Sequence, residues 1–152
     1  MPRLEVQTQI AAEPGRCFDL SLSVDAHLES MGPSGERAVA GITSGQMGLD
    51  DTVTWRARHF GIWFRMTSAI TEFDRPVRFV DEQVRGPFAF WRHEHRFELT
   101  ASGGTRMIDV VEFGSPGGPV GRLVDRVFLS HYMNKLIQQR NRWLRRALEA
   151  CD

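Results

Sequence analysis

The order of hydrophobic and polar residues changes its period twice along the chain. Residues 3–10 alternate strictly, with an apolar side chain or Thr at every second position, which is typical of a half-buried strand. Pro14 then stands where a first helical turn tolerates proline, and the apolar residues after it have helical spacing. A second short helix is predicted over residues 24–31, before a cluster of Gly and Pro ends the pattern.

The middle of the chain is predicted to form six further strands, which makes seven in all. Short segments rich in Gly, Asp and Pro separate these strands, and such segments are typical of hairpin turns. We therefore expect an antiparallel meander. The six predicted strands are residues 37–43, 52–60, 63–73, 77–85, 89–100 and 105–113.

The period becomes helical after the Pro- and Gly-rich segment 115–119. One amphipathic helix is predicted over residues 120–150, and its apolar stripe is expected to face the sheet. A single helix cannot fill the concave face of a curved sheet with its own side chains, so the arrangement favours a cavity between them. We expect Leu123 and Val127 of the stripe to line that cavity.

Composition and charge narrow the classes of function. The chain of 152 residues has 41% hydrophobic content, which is enough for one domain over residues 1–152. Its 19 basic and 19 acidic residues cancel, so no net field favours nucleic acid. No apolar run is long enough to span a bilayer, which excludes membrane insertion but leaves peripheral contact open. Four arginines near the helix end are interpreted as a solvated face that complements the helix dipole: Arg140, Arg142, Arg145 and Arg146.

The cysteines and the start of the chain indicate a cytoplasmic location. Cys17 and Cys151 are too few and too far apart to form a disulfide framework. No charged and then apolar leader precedes Arg3. Neither cysteine stands in a convincing nucleophile position, and no Gly-x-Ser-x-Gly motif occurs.

The order of one strand, two short helices, six strands and a long terminal helix resembles a known superfamily. It is similar to the helix-grip fold of START lipid-transfer domains, birch-pollen-allergen-like proteins and polyketide cyclases, the SRPBCC superfamily. Segments 54–61, 79–88, 91–95 and 104–107 are similar to a bacterial ligand-binding branch of that superfamily.

This resemblance covers essentially the whole chain and implies an α+β helix-grip fold. In that fold a seven-stranded, curved antiparallel sheet wraps around a long C-terminal helix, two short helices follow the first strand, and a ligand cavity lies under the long helix. Some relatives carry an NAD-dependent epimerase-like domain that is not part of this sequence, so we expect no cofactor. The fold alone does not define a reaction.

Ionisable side chains lie on the apolar faces of three predicted strands. His93 and His95 are two residues apart, so both imidazoles project from the face that carries the apolar residues of their strand. Asp109 and His59 lie on the apolar faces of two other strands. Burying such groups without partners costs several kcal/mol, so we expect them to pair in one cluster.

The predicted ligand-contacting set adds aromatic and flexible residues that share faces with this cluster. The register of the predicted strand 77–85 is ambiguous by one residue. Phe79 lies on the same face as Asp81 and Gln83 and favours placing these two side chains inward. The full set is Trp55, His59, Phe64, Met66, Phe79, Asp81, Gln83, Trp91, His93, His95, Met107, Asp109, Leu123 and Val127.

Three interpretations of the cluster remain open at this point. The imidazoles and Asp109 form a hydrogen-bonded floor that orients a mostly apolar ligand by a carbonyl, hydroxyl or carboxylate group. Alternatively, His93 and His95 with His59 or Asp109 hold a divalent metal, although no compact second motif supports this and we expect none. Finally, His93, His95 and Asp109 act as acid and base on a carbonyl substrate.

We therefore predict non-covalent binding of a small hydrophobic or amphipathic molecule for transport, sensing or sequestration. The first alternative is a cofactor-independent enzyme of the polyketide cyclase or dehydratase kind. The second is a protein-interaction module that uses the loops 45–51 and 115–119. A homodimer is compatible with each of these hypotheses.

Overall fold

The computed structural model describes residues 2–150, so Cys151 lies outside the described residues. The elements follow the predicted order and differ from the predicted boundaries by only a few residues. They are β1 (Arg3–Ile10), α1 (Pro14–Ser21), α2 (Val24–Ser30), β2 (Arg37–Gly41), β3 (Thr52–His59), β4 (Ile62–Asp74), β5 (Arg78–Arg85), β6 (Phe90–Leu99), β7 (Thr105–Gly114), α3 (Gly118–Val124) and α4 (Ser130–Glu149).

The strands form one seven-stranded antiparallel sheet in the order β1-β7-β6-β5-β4-β3-β2. A hairpin connects each pair of successive strands from β2 to β7. Strand β1 joins the sheet by pairing with β7. The register between β4 and β5 shifts twice, and such bulges bend and twist a strand. The sheet curves around the terminal helix, and the predicted helix-grip architecture is confirmed.

Two clusters of buried apolar side chains hold the helices against the sheet. In the larger cluster Phe18 of α1 makes edge-to-face contacts with Phe79 and Phe97, with ring centroids 5.4 and 5.5 Å away. The smaller cluster surrounds Val111 and Phe113 of β7. Both clusters contribute side chains to the cavity described below.

The terminal helix is continuous but not regular. A π-helical turn, Asp125–Leu129, joins α3 to α4. The predicted apolar stripe faces the sheet within α4, where Leu144 and Leu148 are buried. In α3 and the π turn it does not, since Leu123 and Val127 are 61% and 64% exposed. The prediction is wrong for this part because a helical period gives the apolar face of a helix but does not show whether the sheet reaches far enough to cover it.

The arginines of α4 do not all face solvent. Arg142, Arg145 and Arg146 are exposed, as predicted, but Arg140 is only 8% exposed. The prediction of a solvated face is wrong for Arg140 because its guanidinium pairs with the buried Asp109 carboxylate. Among residues 2–150, no helix is both long enough and apolar enough to cross a membrane.

Candidate functional site

A cavity of about 370 Å³ lies between the concave face of the sheet and the helices α2 and α4. Most of its wall is apolar and aromatic, and flexible methionines add adaptable surface. The wall includes Trp55, Ala57, Phe64, Met66, Ile70, Phe79, Phe88, Trp91, Met133 and Leu136.

One end of the cavity is polar and is built on three adjacent strands. His93 and His95 of β6 project from the same face because side chains alternate along a strand. Asp81 lies opposite His93 on β5, and Asp109 lies opposite His95 on β7. The sheet register therefore places two imidazoles between two carboxylates.

Asp109 is completely buried and accepts hydrogen bonds from side chains of both the sheet and the helix. His93 Nε2 and Arg140 Nη2 are each 2.8 Å from its Oδ1, and Asn141 Nδ2 is 2.7 Å from its Oδ2. Arg140 also donates to Asn141 Oδ1. The cluster thus ties α4 to the centre of the sheet.

Burial and pairing set the charges in this cluster. Burial alone would raise the pKa of Asp109, but the Arg140 charge and the hydrogen bond from His93 hold that pKa well below its usual range. Burial, helped by His95, lowers the pKa of His93 to about 4. His93 is therefore neutral at pH 7. Because an ionised carboxylate only accepts, we assign the proton to His93 Nε2, and Nδ1 keeps its lone pair.

His95 lies between two rings and two carboxylates. Its ring stacks on His93 at 3.7 Å and on Phe79 at 4.1 Å between centroids. Nε2 donates to Asp81 Oδ2 at 2.7 Å. Nδ1 lies 3.4 Å from Asp109 Oδ1, without a hydrogen bond. The stacked rings form a rigid floor under the polar end of the cavity.

Some polar atoms at this end are left for a ligand. Arg140, Asp81 and His93 all line the cavity. Within the described residues, the hydrogen bonds of Arg140 use Nε and Nη2, which leaves Nη1. Asp81 uses Oδ2 for His95 and keeps Oδ1, and His93 keeps Nδ1. One cationic donor and two acceptors therefore lie at one end of a cavity whose wall is mostly apolar.

Two further polar pairs lie elsewhere on the wall. His59 Nδ1 is 2.6 Å from the Tyr132 hydroxyl, which joins β3 to α4. Burial lowers the pKa of His59 and raises that of Tyr132. On the other side, His27 Nε2 is 2.7 Å from a Glu36 carboxylate oxygen, and the His27 ring lies against Trp55.

Most residues in the predicted ligand-contacting set line the cavity, but some do not. Gln83 bonds to the backbone N–H and carbonyl of Phe88 and closes the turn between β5 and β6. Met107 and Asp109 are fully buried and do not line the cavity. The prediction is wrong for these two residues because alternation identifies the face of a strand but does not reveal whether another side chain lies in front. Leu123 and Val127 are exposed on the helix. The lining members of the set are Trp55, His59, Phe64, Met66, Phe79, Asp81, Trp91, His93 and His95.

Sequence reasoning missed Arg140, Asn141 and Tyr132, which all lie on α4. A polar residue within a helical pattern resembles a solvated one, so the pattern alone did not reveal them. Two signals could have found Arg140. It lies three residues after Ile137 and four before Leu144, on the buried stripe, and a buried aspartate requires a cation.

The geometry does not favour a metal site. Asp81, His93 and His95 offer ligand atoms within 4.8 Å of one another, and His59 is not part of this group. The two imidazoles stack 3.7 Å apart with 20° between their planes. Imidazole lone pairs lie in the ring plane, and Zn–N bonds are about 2.0–2.1 Å long. One ion therefore cannot bind both rings unless one of them rotates.

Comparison with known protein families identifies the family of this chain. Residues 1–149 match the family described as polyketide cyclase / dehydrase and lipid transport. The chain belongs to this family. The resemblance to the helix-grip superfamily is thereby confirmed. No curated protein matches the chain.

Solved structures that resemble this member of the polyketide cyclase / dehydrase and lipid transport family share its fold at low sequence identity. A protein from Thermus thermophilus has 18% identity and a TM-score of 0.79, with 99% of both chains covered. Major latex-like protein 151 from Panax ginseng has 13% identity and a TM-score of 0.69, with 97% of both chains covered. The Zhui aromatase/cyclase from Streptomyces sp. R1128 has 13% identity and a TM-score of 0.68, covering 96% of this chain and 95% of its own.

Proposed function

We propose that the protein binds a small amphipathic molecule non-covalently. The apolar body of the ligand lies along the aromatic wall, and its polar end meets Asp81, His93 and Arg140. The observation that carries this proposal is the asymmetry of the cavity, whose wall is mostly apolar with polar groups held at one end by a buried network. Such a lining is typical of small-molecule sites.

The size of the cavity limits the ligand. Small-molecule sites usually enclose about 300–1,000 Å³, and this cavity of about 370 Å³ lies near the lower end. A molecule of a few fused rings or a short acyl chain fits this space, whereas the two chains of a phospholipid do not. Met66 and Met133 allow the wall to adapt to ligands of different shape.

The polar end favours a neutral group that both donates and accepts. Arg140 Nη1 donates, and Asp81 Oδ1 and His93 Nδ1 accept. A hydroxyl close to a carbonyl satisfies both kinds of partner. A carboxylate would meet Arg140 but also the Asp81 charge, and a hydrocarbon would leave polar groups unpaired at about 1–3 kcal/mol each.

Filling the cavity tests the proposal. Met66→Trp inserts bulk into the wall, and Arg65→Trp is its control, because Arg65 is exposed on the opposite face of the same strand. Binding of the fluorescent probe 1-anilinonaphthalene-8-sulfonate should weaken at least tenfold in Met66→Trp only. Native mass spectrometry of freshly purified wild-type protein should show an organic adduct that is lost on denaturation. Equal probe affinity in both variants would argue against the cavity as the binding site.

A matched ligand pair tests the polar end. We expect 2-naphthol to bind roughly tenfold more tightly than naphthalene, which corresponds to about one satisfied buried hydrogen bond. Asp81→Leu should remove most of this preference. The control Glu82→Leu, which changes the opposite face of β5, should keep it. An undiminished preference in Asp81→Leu would exclude Asp81 from ligand recognition.

A second candidate is an acid–base enzyme of the cyclase or dehydratase kind. His93 favours it, since Nε2 donates to Asp109 and Nδ1 keeps a lone pair at the cavity. The family description and the likeness to an aromatase/cyclase give polyketides as a first substrate class to test. A pKa of about 4 makes His93 a weak base, which counts against this candidate. If the protein is an enzyme, His93→Gln abolishes turnover but keeps probe binding. A protein that only binds its ligand shows no turnover. A protein-interaction module keeps its function in the His93→Gln variant.

A further inference from the structure

An apolar surface lies on the first part of the terminal helix and on the turn between β3 and β4. We call it the mouth surface and define it as Val120, Leu123, Val124, Val127, Phe128, Phe60 and Ile62. These side chains are between 43% and 71% exposed. The helical members have the spacing i, i+3, i+4, i+7 and i+8, which places them on one side of the helix. Exposed apolar surfaces of this kind mark interaction sites.

The mouth surface is continuous with the wall of the cavity. The Phe60 ring lies 5.1 Å from Phe128 and 4.5 Å from Tyr132, between centroids. Phe60, Leu129 and Tyr132 also line the cavity. Whatever covers the mouth surface therefore lies beside this part of the cavity wall.

The exposed charged residues on the two elements that carry the mouth surface have one sign. Arg122 and Arg126 are exposed on the same helical segment. The acidic residue of this segment, Asp125, is 1% exposed. Both carboxylate oxygens of Asp125 accept hydrogen bonds from Ser115. Residues 52–71 contain no Asp or Glu, and Arg58 and Arg65 are exposed there. A chain without net charge thus presents only cations on these two elements.

We propose that the mouth surface docks on a lipid bilayer that contains anionic phospholipid. Its apolar side chains enter the interface between headgroups and acyl chains, and Arg122 and Arg126 contact the phosphate groups. A second copy of this chain would bring two cationic surfaces together, which is unfavourable, so the charge favours the bilayer. The docking does not depend on the proposed function. Its consequence, exchange of the ligand between bilayer and cavity, does rest on it.

Co-sedimentation with vesicles tests the docking. The wild-type protein should bind vesicles of phosphatidylcholine with phosphatidylglycerol, and bind phosphatidylcholine alone much more weakly. Leu123→Asn with Val127→Asn should abolish this binding. The matched control is Leu99→Asn with Val77→Asn, which are 70% and 50% exposed. Leu99 pairs with Thr105, near the C-terminal end of α4, and its change should have no effect.

Charge variants test the electrostatic part. Arg122→Gln with Arg126→Gln should weaken binding to the anionic vesicles roughly tenfold or more. Arg142→Gln with Arg146→Gln removes the same charge from the exposed far end of α4 and should change little. Added salt should weaken wild-type binding.

Several outcomes would overturn the docking proposal. These are absence of vesicle binding, equal binding to neutral vesicles, or equal loss in the control variants. A concentration-dependent dimer that is lost in Leu123→Asn with Val127→Asn would assign the mouth surface to a second copy. Probe binding without vesicles, measured on the same variants, separates this test from that of the cavity, because the substituted residues do not line it.

Discussion

At the scale of single residues, the buried polar cluster depends on Asp109 and its cation. Arg140→Met keeps the length of the side chain but leaves a fully buried carboxylate without its charged partner. Removing one member of a buried pair costs about 3–5 kcal/mol, so we expect the free energy of unfolding in urea to fall by about that amount. The exposed Arg142→Met should stay within about 0.5 kcal/mol of the wild type. Similar losses in both variants would contradict the role assigned to the pair.

His93 makes the stability depend on pH. Its pKa is lowered from 6.5 to about 4 in the folded protein, so at intermediate pH the unfolded chain binds a proton that the folded chain does not. The contribution of His93 to the free energy of unfolding is fully present above pH 6.5 and falls by about 3 kcal/mol as the pH drops towards 4. The lowered pKa of His59 acts in the same direction. Urea titrations across this range should show the decline, and His93→Gln should flatten most of it. A slope that persists in His93→Gln would assign the effect to other groups.

At the scale of elements, the start of α3 depends on a glycine. A Cβ on Gly121 would meet the backbone carbonyl oxygens of Pro116 and Ser115. Gly121→Ala must therefore displace this turn, and we expect it to lower the free energy of unfolding by about 1–3 kcal/mol. Gly32→Ala meets no atom within 4 Å and should be neutral or slightly stabilising. Thermal unfolding of the two variants checks this expectation, and equal melting temperatures would refute it.

The elements themselves were largely predictable from sequence, because strand alternation and turn residues are local signals. The alternation of β6 places His93 and His95 on the cavity side, as predicted. At the end of β6 the alternation does not predict burial, because Leu99 shares the strand face of His93 and His95 and is nevertheless 70% exposed. The sequence pattern also could not separate α3 from α4, since both carry the same apolar period. The two helices differ in the surface that their apolar stripe faces.

At the scale of the whole molecule, the two parts of the terminal helix differ in their support. Leu144 and Leu148 are buried against the sheet side, whereas Leu123 and Val127 are exposed. Segments with few buried contacts open more easily. We expect backbone amides of residues 119–128 to exchange with deuterium faster than those of residues 137–148. Anionic vesicles should slow exchange in the first segment only. Equal protection of both segments without vesicles would contradict this view of the helix.

The sequence by itself determined the order of elements, the inward faces of most strands and the expectation of a cavity. Each of these follows from residue spacing and turn chemistry within a short stretch of chain. Only the tertiary structure decided which side chains reach the cavity and which partner each buried charge receives. Asp109 and Arg140 are 31 residues apart, and Leu123 is exposed because nothing among residues 2–150 packs over it. Such outcomes depend on distant parts of the chain meeting in space, and no local pattern encodes that meeting.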